Sequence, residues 1–132
     1  MAGWPSLGPN GLLKVELSLA CLDGLGIEMR ATLHILMTVL NYVTGSVLNE
    51  LREIHVEQER AGTGRSQDEI EAGMVEWRAS LRRSGLFAGV LGVFDEGIDP
   101  DAAETRDERF EFGLGCVLDG IAARLPLLPR NP

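Results

Sequence analysis

The stretch RATLHILMTVLNYVTGSVLNELRE, from Arg30 to Glu53, decides how the rest of the chain is organised. Its apolar residues recur at helical spacing, so we predict a long helix from Glu28 to Arg60. One flank of that helix comprises Leu33, Leu36, Met37, Leu40, Val43, Val47 and Leu51, and it is widened by Ile35, Val39 and Tyr42. Because the apolar residues cover more than one face, the helix must be surrounded by partners on most sides.

A narrow polar stripe runs along the same helix. Its members are Arg30, His34, Thr38, Asn41, Gly45, Asn49 and Arg52. Two interpretations stay open, a solvated edge and the polar wall of a pocket or interface.

The residues before this helix predict a coil that leads into a helix from Asn10 to Leu25. Pro9 suits the first turn of a helix, since its missing N–H is not needed there. Gly26 suits the C′ position that follows a helix.

Three further helices are predicted after it. A capping box at Ser66 and Glu69 starts a helix that runs to Ser84 and stops at Gly85. Its inward residues are Ile70, Met74, Trp77 and Leu81, a short helix at residues 87–94 follows, and residues 95–104 form an acidic loop. A second capping box, Thr105 to Glu108, opens the last helix, which Pro126 ends. The prediction is one all-α domain, residues 1–132, of about five helices.

Composition excludes several classes of protein. The net charge is −8 and the basic residues form no run, so the chain should not bind nucleic acid by itself. Cys21 and Cys116 are expected to be reduced and buried in a cytoplasmic protein. The stretch from Leu33 to Leu48 has 16 residues, fewer than a bilayer span requires. We therefore expect no membrane partner.

No residue pattern indicates catalysis. His55 and Glu59 are spaced i, i+4, which suits a metal but is also common on charged helix surfaces. No phosphate-binding loop and no nucleophile elbow occurs in the sequence. We predict that the chain is not an enzyme and that it uses no metal and no cofactor.

Four segments, in this order, resemble the C-terminal domain of tetracycline-repressor-family regulators. The last one carries the motif FEFGL at residues 110–114 and LDGI at residues 118–121. The others are PSLGPNGLLKVELSLACLDGLGI at residues 5–27, MRATLHILMTVLNYVTGSVLNELRE at residues 29–53, and VEWRASLRRSGLF at residues 75–87. The resemblance implies a helical domain that binds a small effector and dimerises through a four-helix bundle.

The resemblance also implies what this chain lacks. Family members carry a helix-turn-helix domain that binds DNA, a connecting helix and a long core helix, and none of them has a counterpart here. We therefore expect DNA contact only through a helix-turn-helix domain absent from this chain. A fragment, a truncated reading frame and a complete gene product all stay open.

The resemblance implies an effector pocket of mostly apolar residues. They are Leu7, Val15, Ser18, Leu19, Leu22, Leu33, Leu36, Met37 and Leu40. Asn49 stands where tetracycline-binding members have a carboxylate that helps to hold magnesium, and an amide is a poorer ligand for that ion. We therefore expect a hydrophobic effector. The alternative is that these leucines are simply core.

The dimer implied by the resemblance pairs the long helix with the last helix. We assign to it Val39, Tyr42, Val43, Ser46, Gly113, Leu114, Val117, Leu118 and Ile121. Glycine inside a helix costs about 0.5–1 kcal/mol relative to alanine. Gly113 and Gly120 share a side with Val117 and could let a partner backbone approach, whereas Gly115 does not.

Two functions follow from these observations. The first is effector sensing and dimerisation in a transcriptional repressor. The alternative is a stand-alone or truncated helical dimerisation module that binds no ligand.

Overall fold

The computed structural model describes residues 8–132, which form five α-helices. They are α1 at Pro9–Leu22, α2 at Met29–Gly62, α3 at Gln67–Ser84, α4 at Ala88–Asp95 and α5 at Arg106–Arg124, with 3₁₀ turns at Ala103–Thr105 and Leu125–Leu127. The described residues contain no named strand, only an isolated antiparallel bridge between Ile27 and Arg130. The prediction of an all-α fold is confirmed.

The ends of α1 and α3 depend on local capping residues. The α1 helix begins at Pro9 but ends at Leu22, where Asp23 turns extended and Gly24 takes a φ of +88°. Gly24, and not the predicted Gly26, therefore occupies the C′ position. The α3 helix has its predicted capping box, and it ends at Gly85 in the left-handed conformation, with a φ of +69°.

The start of α5 differs from the prediction. The Thr105 hydroxyl donates to the Ala102 carbonyl over 2.9 Å and accepts from Arg109 Nε over 3.1 Å. The 3₁₀ turn at Ala103–Thr105 thus leads directly into the helix. The second capping box is wrong because the threonine side chain is engaged by the preceding turn and by Arg109.

The described chain divides into two compact units, of which the first contains residues 8–46 and 110–132. Its buried core consists of Ile27, Ala31 and Ile35. Four half-buried residues pack against that core, namely Leu22, Ile121, Leu125 and Leu128. Ile121, assigned above to the dimer interface, thus contributes to the core of its own chain.

A tyrosine and a glycine fit together in the first unit. Tyr42 Oη donates to the Phe110 carbonyl over 2.7 Å, and the two rings lie 5.7 Å apart. A Cβ at Gly113 would overlap Tyr42 Oη and would lie 2.8 Å from Cε2 and Cζ of that ring. Glycine is therefore required at position 113 because a larger residue would overlap the Tyr42 ring of the same chain. Nothing lies within 4 Å of a Cβ at Gly115 or Gly120.

The second unit contains residues 47–109. The indole of Trp77 meets the Phe94 ring edge-on at 5.6 Å, and the guanidinium of Arg78 lies 4.9 Å from the centre of Phe94. Arg82 pairs with Asp95 between the same two helices, α3 and α4. Trp77 was predicted to point inward, but it remains 45% exposed because Phe94 covers only part of the indole.

The α2 helix is apolar over a long stretch. Residues 31–49 contain no Asp, Glu, Lys or Arg, and one 18-residue window of the helix has a mean hydropathy of 1.4. By length and composition this helix could cross a membrane, so the argument that its apolar stretch is too short does not hold. The core helix of a soluble protein passes the same test. Only 17% of that window is buried in the described structure.

We predict that Gly113→Ala destabilises the protein although alanine favours helix. The helix gains about 0.5–1 kcal/mol from alanine, but the new methyl displaces the Tyr42 ring and overpacking costs about 1–3 kcal/mol. Urea unfolding should therefore show a net loss. The matched control is Gly115→Ala, where the space is open and the same substitution should stabilise.

A second background identifies the cause of that loss. In Tyr42→Ala the ring is gone, so the further change Gly113→Ala should no longer destabilise. An unchanged loss in that background would show that the tyrosine is not the reason for the glycine.

Candidate functional site

The structure distributes the predicted effector-pocket residues over several environments. Leu36 is buried, whereas Met37 and Leu40 are 51% and 41% exposed. The half-buried members are Val15, Ser18, Leu19, Leu22 and Leu33, and Leu7 lies outside the described residues. The predicted pocket residues of the described chain therefore range from buried to half exposed.

Two of the predicted pocket residues do share a groove. We call it the α1–α2 groove, with a volume of about 320 Å³. It is lined by Leu19, Leu22, Asp23, Gly24, Gly26, Ile27, Met29, Thr32 and Asn131. A volume of a few hundred Å³ is at the lower end of what small-molecule sites provide. The groove combines an apolar floor with a carboxylate and an amide.

Asn49, which the resemblance assigns to the effector site, contacts two neighbours on its own helix. It lies in the second unit, where its Nδ2 donates to Glu53 Oε1 over 2.7 Å. Its Oδ1 accepts from Arg52 Nη2 over 3.1 Å. Both ends of this amide are engaged by neighbours on α2, so Asn49 supports a charged cluster.

Two of the predicted dimer residues line a second groove, in the first unit. This α2–α5 groove has a volume of about 430 Å³ and is mainly apolar. It is lined by His34, Ile35, Thr38, Cys116, Val117, Gly120, Ile121, Arg124 and Leu128. Val117 and Ile121 belong to the predicted interface, and His34 and Thr38 belong to the polar stripe of α2.

The other predicted interface residues are partly covered by their own chain. Leu118 is 49% exposed. Ser46 donates its hydroxyl to the Tyr42 carbonyl over 2.9 Å, and Tyr42 packs against Gly113. The half-buried members are Val39, Tyr42, Val43, Ser46, Gly113 and Leu114.

Both cysteines are free and exposed. The prediction that they are buried is wrong, because neither α1 nor α5 is covered by the described chain at these positions. Cys116 lines the α2–α5 groove.

The most buried polar side chain described is Glu53 on α2, which is 3% exposed. Its two oxygens accept from Arg109 Nη1 and Nη2 over 2.9 and 3.0 Å, and Oε2 also accepts from Arg106 Nε over 3.0 Å. The hydrogen bonds from Arg109, followed by those from Arg106, outweigh burial and lower the pKa of Glu53 to about 2. The carboxylate therefore stays ionised inside the unit.

Sequence reasoning missed this cluster. Arg106 and Arg109 are spaced i, i+3 on α5, so they share one face of that helix. That spacing was the available signal for two cations directed at one acid. It did not identify Glu53 as the acid, because α2 carries other carboxylates after Asn49.

The structure also places the histidine pair named above. His55 Nε2 lies 3.3 Å from Glu59 Oε1, and both side chains are mostly exposed. Among residues 8–132 no group of three or more His, Cys, Asp or Glu side chains could hold a metal ion.

Comparison with known proteins gives one match. The family model described as "Tetracyclin repressor-like, C-terminal domain" matches residues 1–125. A search of the curated proteins and a search of the solved structures each found no match.

We predict a pH dependence that belongs to Glu53. Its pKa is about 2 when folded and 4.5 ordinarily, so the folded state binds the proton less readily. The stabilisation is therefore complete above the ordinary pKa and disappears as the pH falls toward 2. Urea unfolding between pH 7 and pH 2 should show this loss of unfolding free energy.

Glu53→Gln should remove that part of the pH dependence. At pH 7 it should lower the free energy of unfolding by roughly 3 kcal/mol, since it leaves two arginines without their shared acid. The matched control is Glu57→Gln, because Glu57 pairs only with Arg106 and its side chain is 50% exposed. In Glu57→Gln the free energy of unfolding should fall by less than about 1 kcal/mol. Equal losses in both variants would contradict the assignment.

Proposed function

We propose an effector-sensing and dimerisation role for this chain, which belongs to the family of tetracyclin repressor-like C-terminal domains. Members of this family are transcription regulators, and such regulators are soluble cytoplasmic proteins. In this proposal the chain is not an enzyme. A small apolar effector shifts its dimer between a DNA-competent and a DNA-incompetent state, by no more than its differential affinity for the two.

The observation that carries the proposal is the exposure of apolar surface on the helices assigned to the interface. In the first unit Leu118 of α5, which is assigned to the interface, is 49% exposed, and Met37 and Leu40 of α2, which are assigned to the effector pocket, are 51% and 41% exposed. Surfaces of this kind mark contacts with a partner. A second copy of the same chain would bury them through an isologous interface.

Effector binding is supported by the α1–α2 groove. Leu19 and Leu22 line it, and both were assigned to the pocket from the resemblance. A bound apolar molecule would cover these side chains and gain about 25 cal/mol for each Å² removed from water. DNA contact in this proposal belongs to a separate helix-turn-helix domain.

One observation favours the alternative, a dimerisation module without ligand. Met37 and Leu40 do not line the α1–α2 groove with Leu19 and Leu22. If the partner chain covers them, they are interface residues and no effector is needed.

We predict that the protein is a dimer in solution. Size-exclusion chromatography with light scattering should give twice the chain mass of 14.3 kDa. Leu118→Glu should shift the mass toward the monomer, because it places a charge in the interface. The matched control is Leu13→Glu, since Leu13 on α1 is 56% exposed and outside the assigned surface. A helical monomer for the unmodified chain would exclude the interface assignment.

We also predict that at least one compound in a panel of small apolar molecules raises the melting temperature. A free ligand concentration of 100 times Kd stabilises the folded state by about 2.7 kcal/mol. That stabilisation raises the melting temperature by several degrees. Leu19→Trp should fill the groove and abolish the shift. Leu17→Trp is the control, because Leu17 is 59% exposed and does not line the groove. A shift that survives Leu19→Trp would place the ligand elsewhere.

A further inference from the structure

The segment from Leu125 to Asn131, which follows α5, is fastened to the turn between α1 and α2. The Glu28 N–H donates to the Pro129 carbonyl over 2.8 Å, and the Asn131 N–H donates to the Gly26 carbonyl over 3.1 Å. Arg130 Nη1 donates to the Leu25 carbonyl over 2.6 Å. We call this segment the strap.

The strap also forms part of the α1–α2 groove. Asn131 is one of the lining residues, together with the apolar side chains of Leu19 and Leu22. Behind it, Leu125 and Leu128 pack against the core of the first unit. The groove therefore has one wall whose position depends on three hydrogen bonds and on the packing of two leucines.

The chemistry of the lining restricts the ligand. Asp23 is the only acidic or basic residue among those that line the groove, and the Asn131 amide is the other exposed polar group. Thr32 is buried, and its hydroxyl already donates to the Glu28 carbonyl over 3.2 Å. The Arg130 guanidinium lies beside Gly26, but it donates to the Leu25 and Leu125 carbonyls and does not line the groove. The charged group that lines the groove is therefore the Asp23 carboxylate, which favours a hydrogen-bond donor and disfavours an anion.

We propose that the α1–α2 groove binds small molecules with an apolar body and a hydrogen-bond donor, and that the docked strap holds one wall of this site in place. The inference rests on the proposed function and specifies the ligand chemistry of its effector site and the segment that shapes it. Because the strap continues directly from α5, a bound ligand would act on the helix assigned to the dimer. Binding and strap docking must then strengthen each other equally.

The test uses two probes with the same body. N-phenyl-1-naphthylamine is neutral and carries an N–H donor, whereas 1-anilinonaphthalene-8-sulfonate adds an anionic group. Fluorescence titration of the full chain should give a Kd for the neutral probe that is at least fivefold lower than the Kd for the sulfonate probe. Asp23→Asn should narrow that ratio to less than twofold. Perturbed methyl signals of Leu19 and Leu22 in NMR spectra should place the neutral probe in the groove.

Strap docking is read separately, by hydrogen exchange of the Glu28 and Asn131 amides. The neutral probe should slow both at least threefold and leave the Ile70 amide, bonded to Ser66 in the second unit, unchanged. Arg130→Ala should accelerate both and weaken the probe at least fivefold. Asn131→Ala should weaken the probe but leave the Glu28 amide protected. The control is Arg65→Ala, because Arg65 is exposed, lies in the second unit and lines neither groove, so its loss should change neither.

Distinct results would overturn the inference. Faster exchange in Arg130→Ala with an unchanged Kd would show that the docked strap does not shape the binding site. Equal affinity for the two probes, or no probe at Leu19 and Leu22, would exclude the proposed ligand class. Either result leaves the proposed function standing if another compound raises the melting temperature, whereas the absence of any stabilising compound would exclude effector sensing itself.

Discussion

The structure depends on one constraint, which is that α2 carries more apolar surface than the described residues cover. Nineteen consecutive residues, 31–49, contain no Asp, Glu, Lys or Arg. Within that stretch the buried residues are Ala31, Thr32, Ile35 and Leu36. All four lie near the start of the helix, where Ala31 and Ile35 pack with Ile27 of the turn after α1. Because exposed apolar area is unfavourable by about 25 cal/mol per Å², the remaining surface of α2 favours any partner that can cover it.

Polar contacts, and not apolar packing alone, fix α2 within each unit. In the first unit the Tyr42 hydroxyl reaches the Phe110 carbonyl of α5, and Gly113 leaves room for the ring. In the second unit Glu53 of α2 receives hydrogen bonds from Arg106 and Arg109 of α5. Such contacts have strict geometry, since a buried acceptor or acid without its partner is costly. They set the register of the helices and leave the apolar residues free to face a partner.

The sequence predicted the features that depend on local chemistry. Pro9, the capping box at Ser66 and the stop at Gly85 act within one turn of a helix, so the sequence is sufficient for them. The features it did not predict depend on residues far apart in the chain. The need for glycine at position 113 comes from Tyr42, and the role of Asn49 comes from a carboxylate held by α5. The apolar character of Cys21, Cys116 and Trp77 predicted that these side chains are buried, but the described residues leave them exposed. For the candidate site, the resemblance named two residues of the α1–α2 groove, but periodicity could not indicate the strap that brings Asn131 to it.

The small cores have a thermodynamic consequence for the proposed dimer. Among the described residues of the first unit only four hydrophobic side chains are buried, so folding there gains little from burial within one chain. If a second copy covers the exposed side chains of α2 and α5, association and folding share the same apolar area, and the measured stability must rise with protein concentration. A ligand in the α1–α2 groove would add to that stability through the same unit. Effector binding would then affect dimerisation even without a large structural change, because both processes draw on the packing of α1, α2 and the strap.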